Sequence, residues 1–137
     1  MNVVDSCGWL EFFGAGSNTE FFRAPLQDTA QLIVPSITVY EVCRRTAVLL
    51  GDAAAARAFE FMRQGRIVSL EPEQMLAASL AAGRYRLAMA DAIIWQTAQI
   101  HQAPLFTQDA DLQNLPGVRY QAKPIAKSTI KPTKSKK

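Results

Sequence analysis

Leu32-Ile33-Val34-Pro35-Ser36-Ile37-Thr38-Val39-Tyr40-Glu41-Val42 is the stretch on which the fold turns. Its first three residues are apolar without alternation, as in a strand buried on both faces of a parallel sheet. Pro35-Ser36 then introduces a helix whose early turns carry Glu41 and, after it, Arg44-Arg45. A buried strand running straight into a helix is half of a βαβ unit. The same alternation continues outward in both directions.

Upstream, Asn2–Val4 reads as a strand and Ser6–Phe13 as a helix with Ser6 as its N-cap. The loop Gly14-Ala15-Gly16-Ser17-Asn18 leads to a short helix across Thr19–Asp28. Downstream, Gly51-Asp52 breaks the chain before an alanine-rich helix, Ala53–Gln64. Arg66–Leu70 is a third strand, Pro72–Ala82 a helix and Gly83-Arg84-Tyr85-Arg86 a loop. A helix from Ala88 to Gln102, a fourth strand at Leu105-Phe106 and a fifth at Val118–Tyr120 complete the series. The expectation is a three-layer α/β/α domain over residues 1–120, with a parallel sheet of four or five strands. A chain of 137 residues fits one such domain.

Charge divides the chain at the same place. Residues 1–120 hold nine arginines, no lysine and all 12 acidic residues, for a net −3. Residues 121–137 hold six lysines and no acid, for +6. The pI near 9.1 therefore reflects a basic tail on a mildly acidic body. With its Lys, Ser, Thr and Pro and few large apolar residues, segment 121–137 is expected to be disordered. No apolar run approaches the ~20 residues of a membrane span. The N-terminus carries no basic region ahead of an apolar one, so a cytoplasmic protein without a signal peptide or membrane contact is expected. In that compartment Cys7 and Cys43 read as small buried thiols rather than a disulfide or metal ligands.

Four acids fall where a parallel sheet would gather them. Asp5 ends the first strand, Glu41 lies in the helix after the second, Asp91 opens the apolar helix Ala90–Trp95, and Asp109 follows Pro104-Leu105-Phe106-Thr107. Open α/β sheets bind ligands outside the carboxyl ends of their strands. Carboxylates gathered there repel one another unless a divalent cation neutralises them. Asp111 is close enough to Asp109 in sequence to leave the fourth acid open between the two.

These residues also carry a family resemblance. Val3-Val4-Asp5-Ser6, Val34-Pro35-Ser36-Ile37-Thr38-Val39-Tyr40-Glu41-Val42, Met89-Ala90-Asp91-Ala92-Ile93-Ile94 and Phe106-Thr107-Gln108-Asp109-Ala110-Asp111-Leu112 resemble, in order and spacing, the motifs of PIN-domain ribonucleases. They are most similar to the VapC-type toxins of toxin–antitoxin pairs. The resemblance implies an endoribonuclease dependent on Mg²⁺ or Mn²⁺, with Asp5, Glu41, Asp91 and Asp109 as metal-binding catalytic acids. It also implies a homodimer and a cognate antitoxin, with RNA as substrate. Gln108 stands where such motifs commonly carry arginine.

Ser6 and Thr107 are expected to orient carboxylates, and Arg44, Arg45, Arg84 and Arg86 to pair with RNA phosphates. The regions around Trp9–Phe13 and Phe21-Phe22 are expected to contact the partner chains. His101, near a helix end, reads as structural. Singly, each acid has a plainer role as a helix cap, a dipole partner or an ion-pair partner. Two other classes fit poorly. A phospho-acceptor receiver needs a lysine at the sheet edge, and residues 1–120 have none; an aspartyl phosphatase needs Asp-x-Asp where Asp5-Ser6-Cys7 stands. The remaining alternative is a non-catalytic PIN-like module that binds RNA or protein.

Overall fold

The computed structural model describes residues 1–125; the expectation of disorder for the rest of the tail, 126–137, lies outside the described residues. Strands β1 (Asn2–Val4), β2 (Leu32–Pro35), β3 (Arg66–Val68), β4 (Leu105–Thr107) and β5 (Val118–Tyr120) form one sheet in the order β3-β2-β1-β4-β5. Every pairing is parallel. The helices are α1 (Ser6–Phe13), α2 (Thr19–Gln27), α3 (Ser36–Leu50), α4 (Asp52–Met62), α5 (Pro72–Tyr85) and α6 (Met89–Ile100).

Strand alternation distributes the core between two layers. Val3, Ile33 and Leu105 face one way, packing with Leu87, Ile94 and Trp95 around α5 and α6. Val4, Leu32 and Val34 face the other, packing with Trp9, Phe22, Leu26, Val42 and Met62 from α1 to α4. The three-layer α/β/α architecture follows, because each of the central strands must be apolar on both faces. Among the described residues no helix is long and apolar enough to cross a membrane.

The strand order places the site. β1 is central; the chain winds from it towards β2 and β3, then returns to lay β4 and β5 on its other side. The crevice between the ends of β1 and β4 is thus a topological switch point, the place where open α/β sheets bind ligands. Asp5 and Asp109 follow those two strands. Close packing under the crevice depends on Gly8, where an added Cβ would stand 2.6 Å from the Phe22 ring and from Val4.

Two local expectations are corrected. Asp5, not Ser6, caps α1: its backbone is extended and its carboxylate accepts the Ser6 N–H. Either residue type is a good cap, so adjacent Asp and Ser leave the choice to the packing. The segment 83–86 is also not a loop, since α5 runs through Gly83 to Tyr85 and ends on Arg86 in the left-handed conformation (φ 58°). Glycine costs a helix only about 1 kcal/mol. Here the capping box of Glu71 and Gln74 and the edge-on packing of Tyr85 against Trp95 at 5.4 Å hold the helix together.

Candidate metal centre

Asp5, Asp91 and Asp109 each present a carboxylate oxygen, and the three oxygens lie within 4.8 Å of one another. Asp5 is buried and fixed by three donors: the Ser6 N–H at 2.8 Å, the Thr107 hydroxyl at 2.7 Å and the Cys7 thiol at 3.3 Å. Thr107 joins the two strand ends, because its oxygen also accepts the Asp109 N–H at 2.9 Å. Asp91 enters from the first turn of α6. Glu41 stands beside the trio and accepts the Ser6 hydroxyl. Asp111 is exposed, and its N–H donates to Asp109 Oδ1 at 2.9 Å, so it braces the turn and does not join the cluster.

Electrostatics shows what this arrangement lacks. Burial first, then the negative charges of Asp5 and Asp109, push the Asp91 carboxyl up to about 7; a hydrogen bond with Asp109 and the charge of Glu41 act the same way. Burial also raises Asp5, against the opposing effect of its Thr107, Cys7 and Ser6 donors. Burial and the neighbouring Asp5 push Cys7 up to about 12, so at neutral pH it is a thiol donating to Asp5 and not a thiolate ligand. Among the described residues, no lysine or arginine forms an ion pair with any of the four acids. Each charged pair at this spacing costs on the order of 3 kcal/mol at an effective dielectric near 20. Holding all three charges without a cation among them therefore costs stability. An all-oxygen donor set of carboxylates fits a hard divalent ion such as Mg²⁺ or Mn²⁺.

The other expected residues lie as follows. Arg44, Arg45, Arg84 and Arg86 are exposed, and the Arg84 guanidinium lies over the Tyr85 ring at 5.8 Å. Neither Arg44 nor Arg45 pairs with Glu41 among the described residues. His101 closes α6, with Nδ1 2.9 Å from the Thr97 carbonyl. Trp9 and Phe22 are fully buried and so cannot be partner contacts; of these two aromatic regions only Phe13 is substantially exposed.

Sequence reasoning missed a polar cluster beside the site. The buried Glu11 carboxylate accepts the Asn18 N–H at 2.8 Å, Gln108 Nε2 at 3.4 Å and Lys123 Nζ at 3.0 Å. Burial raises its pKa, but the donors from Asn18, Lys123 and Gln108 outweigh that, and the net shift is downward. The Asn18 side-chain amide donates to Gln108 Oε1 and to the carbonyls of Gln121 and Ala122. The start of the supposed tail is therefore docked against the domain. The bracing residues are up to 112 positions apart, so nothing local in the sequence points to the pairing. Lys123→Gln leaves Glu11 without its cation; unfolding in urea should show a loss of about 1–2 kcal/mol, small because the lysine is half exposed.

Comparison with known proteins comes to the same point. A toxin–antitoxin complex from Klebsiella pneumoniae superposes with a TM-score of 0.72 at 22% identity, covering 87% of this chain and 96% of that one. VapC20 of Mycobacterium tuberculosis, a sarcin-ricin loop cleaving toxin, gives 0.70 at 13% identity, covering 82% and 93%. DNA-bound VapBC from Salmonella typhimurium gives 0.65 at 16%, covering 89% and 98%. At these identities the likeness is one of fold. No curated protein sequence matches. The PIN domain family model, however, matches residues 3–118, from the start of β1 to the start of β5, and takes in all four acids. The chain belongs to the PIN domain family.

Proposed function

We propose that this protein is an endoribonuclease dependent on Mg²⁺ or Mn²⁺ and the toxin of a toxin–antitoxin pair, acting in the cytoplasm. The observation that carries the reading is the trio of carboxylates within 4.8 Å without a cationic partner among the described residues. Asp5, Asp91 and Asp109 would hold the ion, with Glu41 adjoining. When bound, a divalent ion supplies an acidified water and positive charge for the phosphate and the leaving oxygen.

The chain's own groups do the rest. Three donors hold Asp5 in one orientation, and Thr107 locks the Asp109 turn to it. Ser6 restrains Glu41. Arg44, Arg45, Arg84 and Arg86 would pair with phosphates along the RNA. Attack by water, not by the RNA 2′-hydroxyl, leaves 5′-phosphate and 3′-hydroxyl ends. The alternative of a non-catalytic binding module has no observation in its favour, since the acidic set is complete. Purified protein on labelled structured RNA, with Mg²⁺, Mn²⁺ or EDTA, tests the reading. Equal products with and without EDTA would sink it.

The partners have two uncovered apolar surfaces to occupy. A groove of about 390 Å³ between α1, α3 and α4 is lined by Leu10, Phe13, Leu49, Leu50, Ala54 and Phe61. The concave shape suits an apolar segment of an antitoxin, and the likeness to toxin–antitoxin complexes supports such a partner. A second surface, on α5 and the start of α6, exposes Met75, Leu76, Leu80 and Met89. This surface encloses a groove of about 390 Å³ lined by Met75, Ala78, Ala82, Met89 and Ile93, and its exposed leucines and methionines suit a second copy of the chain in a homodimer. Leu76→Glu with Leu80→Glu should then convert dimer to monomer in sedimentation, with the fold unchanged by circular dichroism.

A further inference from the structure

Gln108 is held at both ends of its side-chain amide. Its Oε1 accepts Asn18 Nδ2 at 3.0 Å, and its Nε2 donates to Glu11 Oε1 at 3.4 Å. The groups behind it are themselves fixed. Glu11 is buried late in α1 and clasped by the loop that follows, whose Asn18 N–H donates to Oε2 at 2.8 Å. In that loop Gly16 has no room for a Cβ, which would run into the Glu11 carboxylate. Asn18, also buried, ties the loop to the carbonyls of Gln121 and Ala122. The Gln121 N–H in turn reaches the Thr107 carbonyl at 3.0 Å.

None of these groups belongs to the acidic trio, yet they converge on its edge. Residue 108 lies between Thr107, whose hydroxyl donates to Asp5, and Asp109, which supplies a carboxylate. The end of β4 is gripped on both sides, by Thr107 towards Asp5 and by Gln108 towards Glu11 and Asn18. Burying polar groups beside the crevice costs desolvation unless they are fully partnered, and this set is partnered throughout.

We propose that Gln108, with Glu11 and Asn18 behind it, is a positioning residue for Asp109, fixing the end of β4 so that the Asp109 carboxylate meets those of Asp5 and Asp91. The inference rests on the metal-centre reading for what the carboxylates hold. A ligand already ordered binds an ion more tightly than one that must be ordered on binding. Lys123 shares Glu11 but comes from the far side of the cluster, so it serves the fold and not the centre.

Gln108→Ala cuts the link to β4 and leaves the Glu11–Lys123 pair in place. Amide exchange is followed by NMR in EDTA, where no ion is needed. The Asp109 and Asp111 N–H groups, bonded to Thr107 Oγ1 and Asp109 Oδ1, should exchange faster in the variant. The expected change is about fivefold, the net worth of one hydrogen bond. The Val3 N–H, bonded to the Pro104 carbonyl, should keep its wild-type rate. Calorimetric titration with Mn²⁺ should show binding weakened about tenfold. Adding Asn18→Ala should weaken it no further, because both residues act through one link. Lys123→Gln should leave the exchange rates and the Mn²⁺ affinity as they are.

Unchanged exchange at Asp109 and Asp111 would overturn the proposal, as would faster exchange with unchanged Mn²⁺ affinity. So would a Lys123→Gln variant that weakens Mn²⁺ binding as much as Gln108→Ala, since the cluster would then act through overall stability alone. If the wild type binds no Mn²⁺ while Gln108→Ala still loosens the Asp109 turn, the metal-centre reading fails and the bracing of Asp109 stands.

Discussion

Asp91→Asn is expected to lower metal-dependent RNA cleavage by about a thousandfold, on the order of 4 kcal/mol of transition-state stabilisation. The amide keeps the size of the side chain and removes the charge that α6 contributes to the trio. Asp5→Asn should act as strongly, but Asp5 is buried and held by three donors. Two of those, the Thr107 hydroxyl and the Cys7 thiol, share Oδ2, so an amide there risks disturbing the cap of α1. Asp91 is half-buried and offers the cleaner substitution. Single-turnover cleavage of labelled RNA, wild type against variant from parallel preparations, checks the effect. Calorimetric titration with Mn²⁺ gives a second readout. A variant that still cleaves at the wild-type rate, or binds Mn²⁺ unchanged, would remove Asp91 from the centre.

The same carboxylates should make the metal-free protein less stable as pH rises. Asp91 sits at about 7 in the fold against an ordinary 3.8, so the folded state binds the proton more tightly than the unfolded chain. The resulting stabilisation is full below pH 4 and is lost as pH rises through about 7. Asp5, also raised, contributes with the same sign. Discounted for the half exposure of Asp91, the loss is about 2 kcal/mol, or roughly 6–10 °C in Tm for a chain of this length. Thermal melts in EDTA should show that fall between about pH 4 and pH 7. Mg²⁺ or Mn²⁺ should restore the loss at pH 8 and do little at pH 5. In EDTA at pH 8, Asp91→Asn should melt above the wild type although it has lost activity. Parallel melts in EDTA at both pH values would contradict the electrostatic account.

Much of this was legible in the residues because the parallel sheet writes itself as unbroken apolar runs. Leu32-Ile33-Val34 admits few readings, and once it is a central strand the acids at strand ends fall at one edge. Asp109 and Asp111 were inseparable in sequence because both sit in one short turn; in the fold the Asp109 carboxylate lies with those of Asp5 and Asp91, while Asp111 is exposed. The aromatic residues misled for a related reason. Trp9, Phe12 and Phe13 recur at a helical spacing that fits either an exposed stripe or a core, and the fold buries Trp9 while Phe13 stays exposed. The Glu11–Lys123 pair was out of reach, since nothing local signals a partner 112 residues away.

The strand order also sets when the acidic cluster can form during synthesis. β1 leaves the ribosome first, yet it is completed by β2 on one side and, only after some hundred residues, by β4 on the other. Thr107 reaches Asp5 across 102 positions, so the acidic cluster cannot assemble on a nascent chain until Asp109 and the residues around it have been translated. At ~5–20 residues per second, synthesis gives a delay of several seconds in which the polypeptide is present without its acidic cluster. Prematurely terminated fragments lacking β4 cannot form the cluster, for the same reason. Their cost lies elsewhere: a hydrophobic central strand with one unpaired edge is a target for aggregation and for proteolytic quality control.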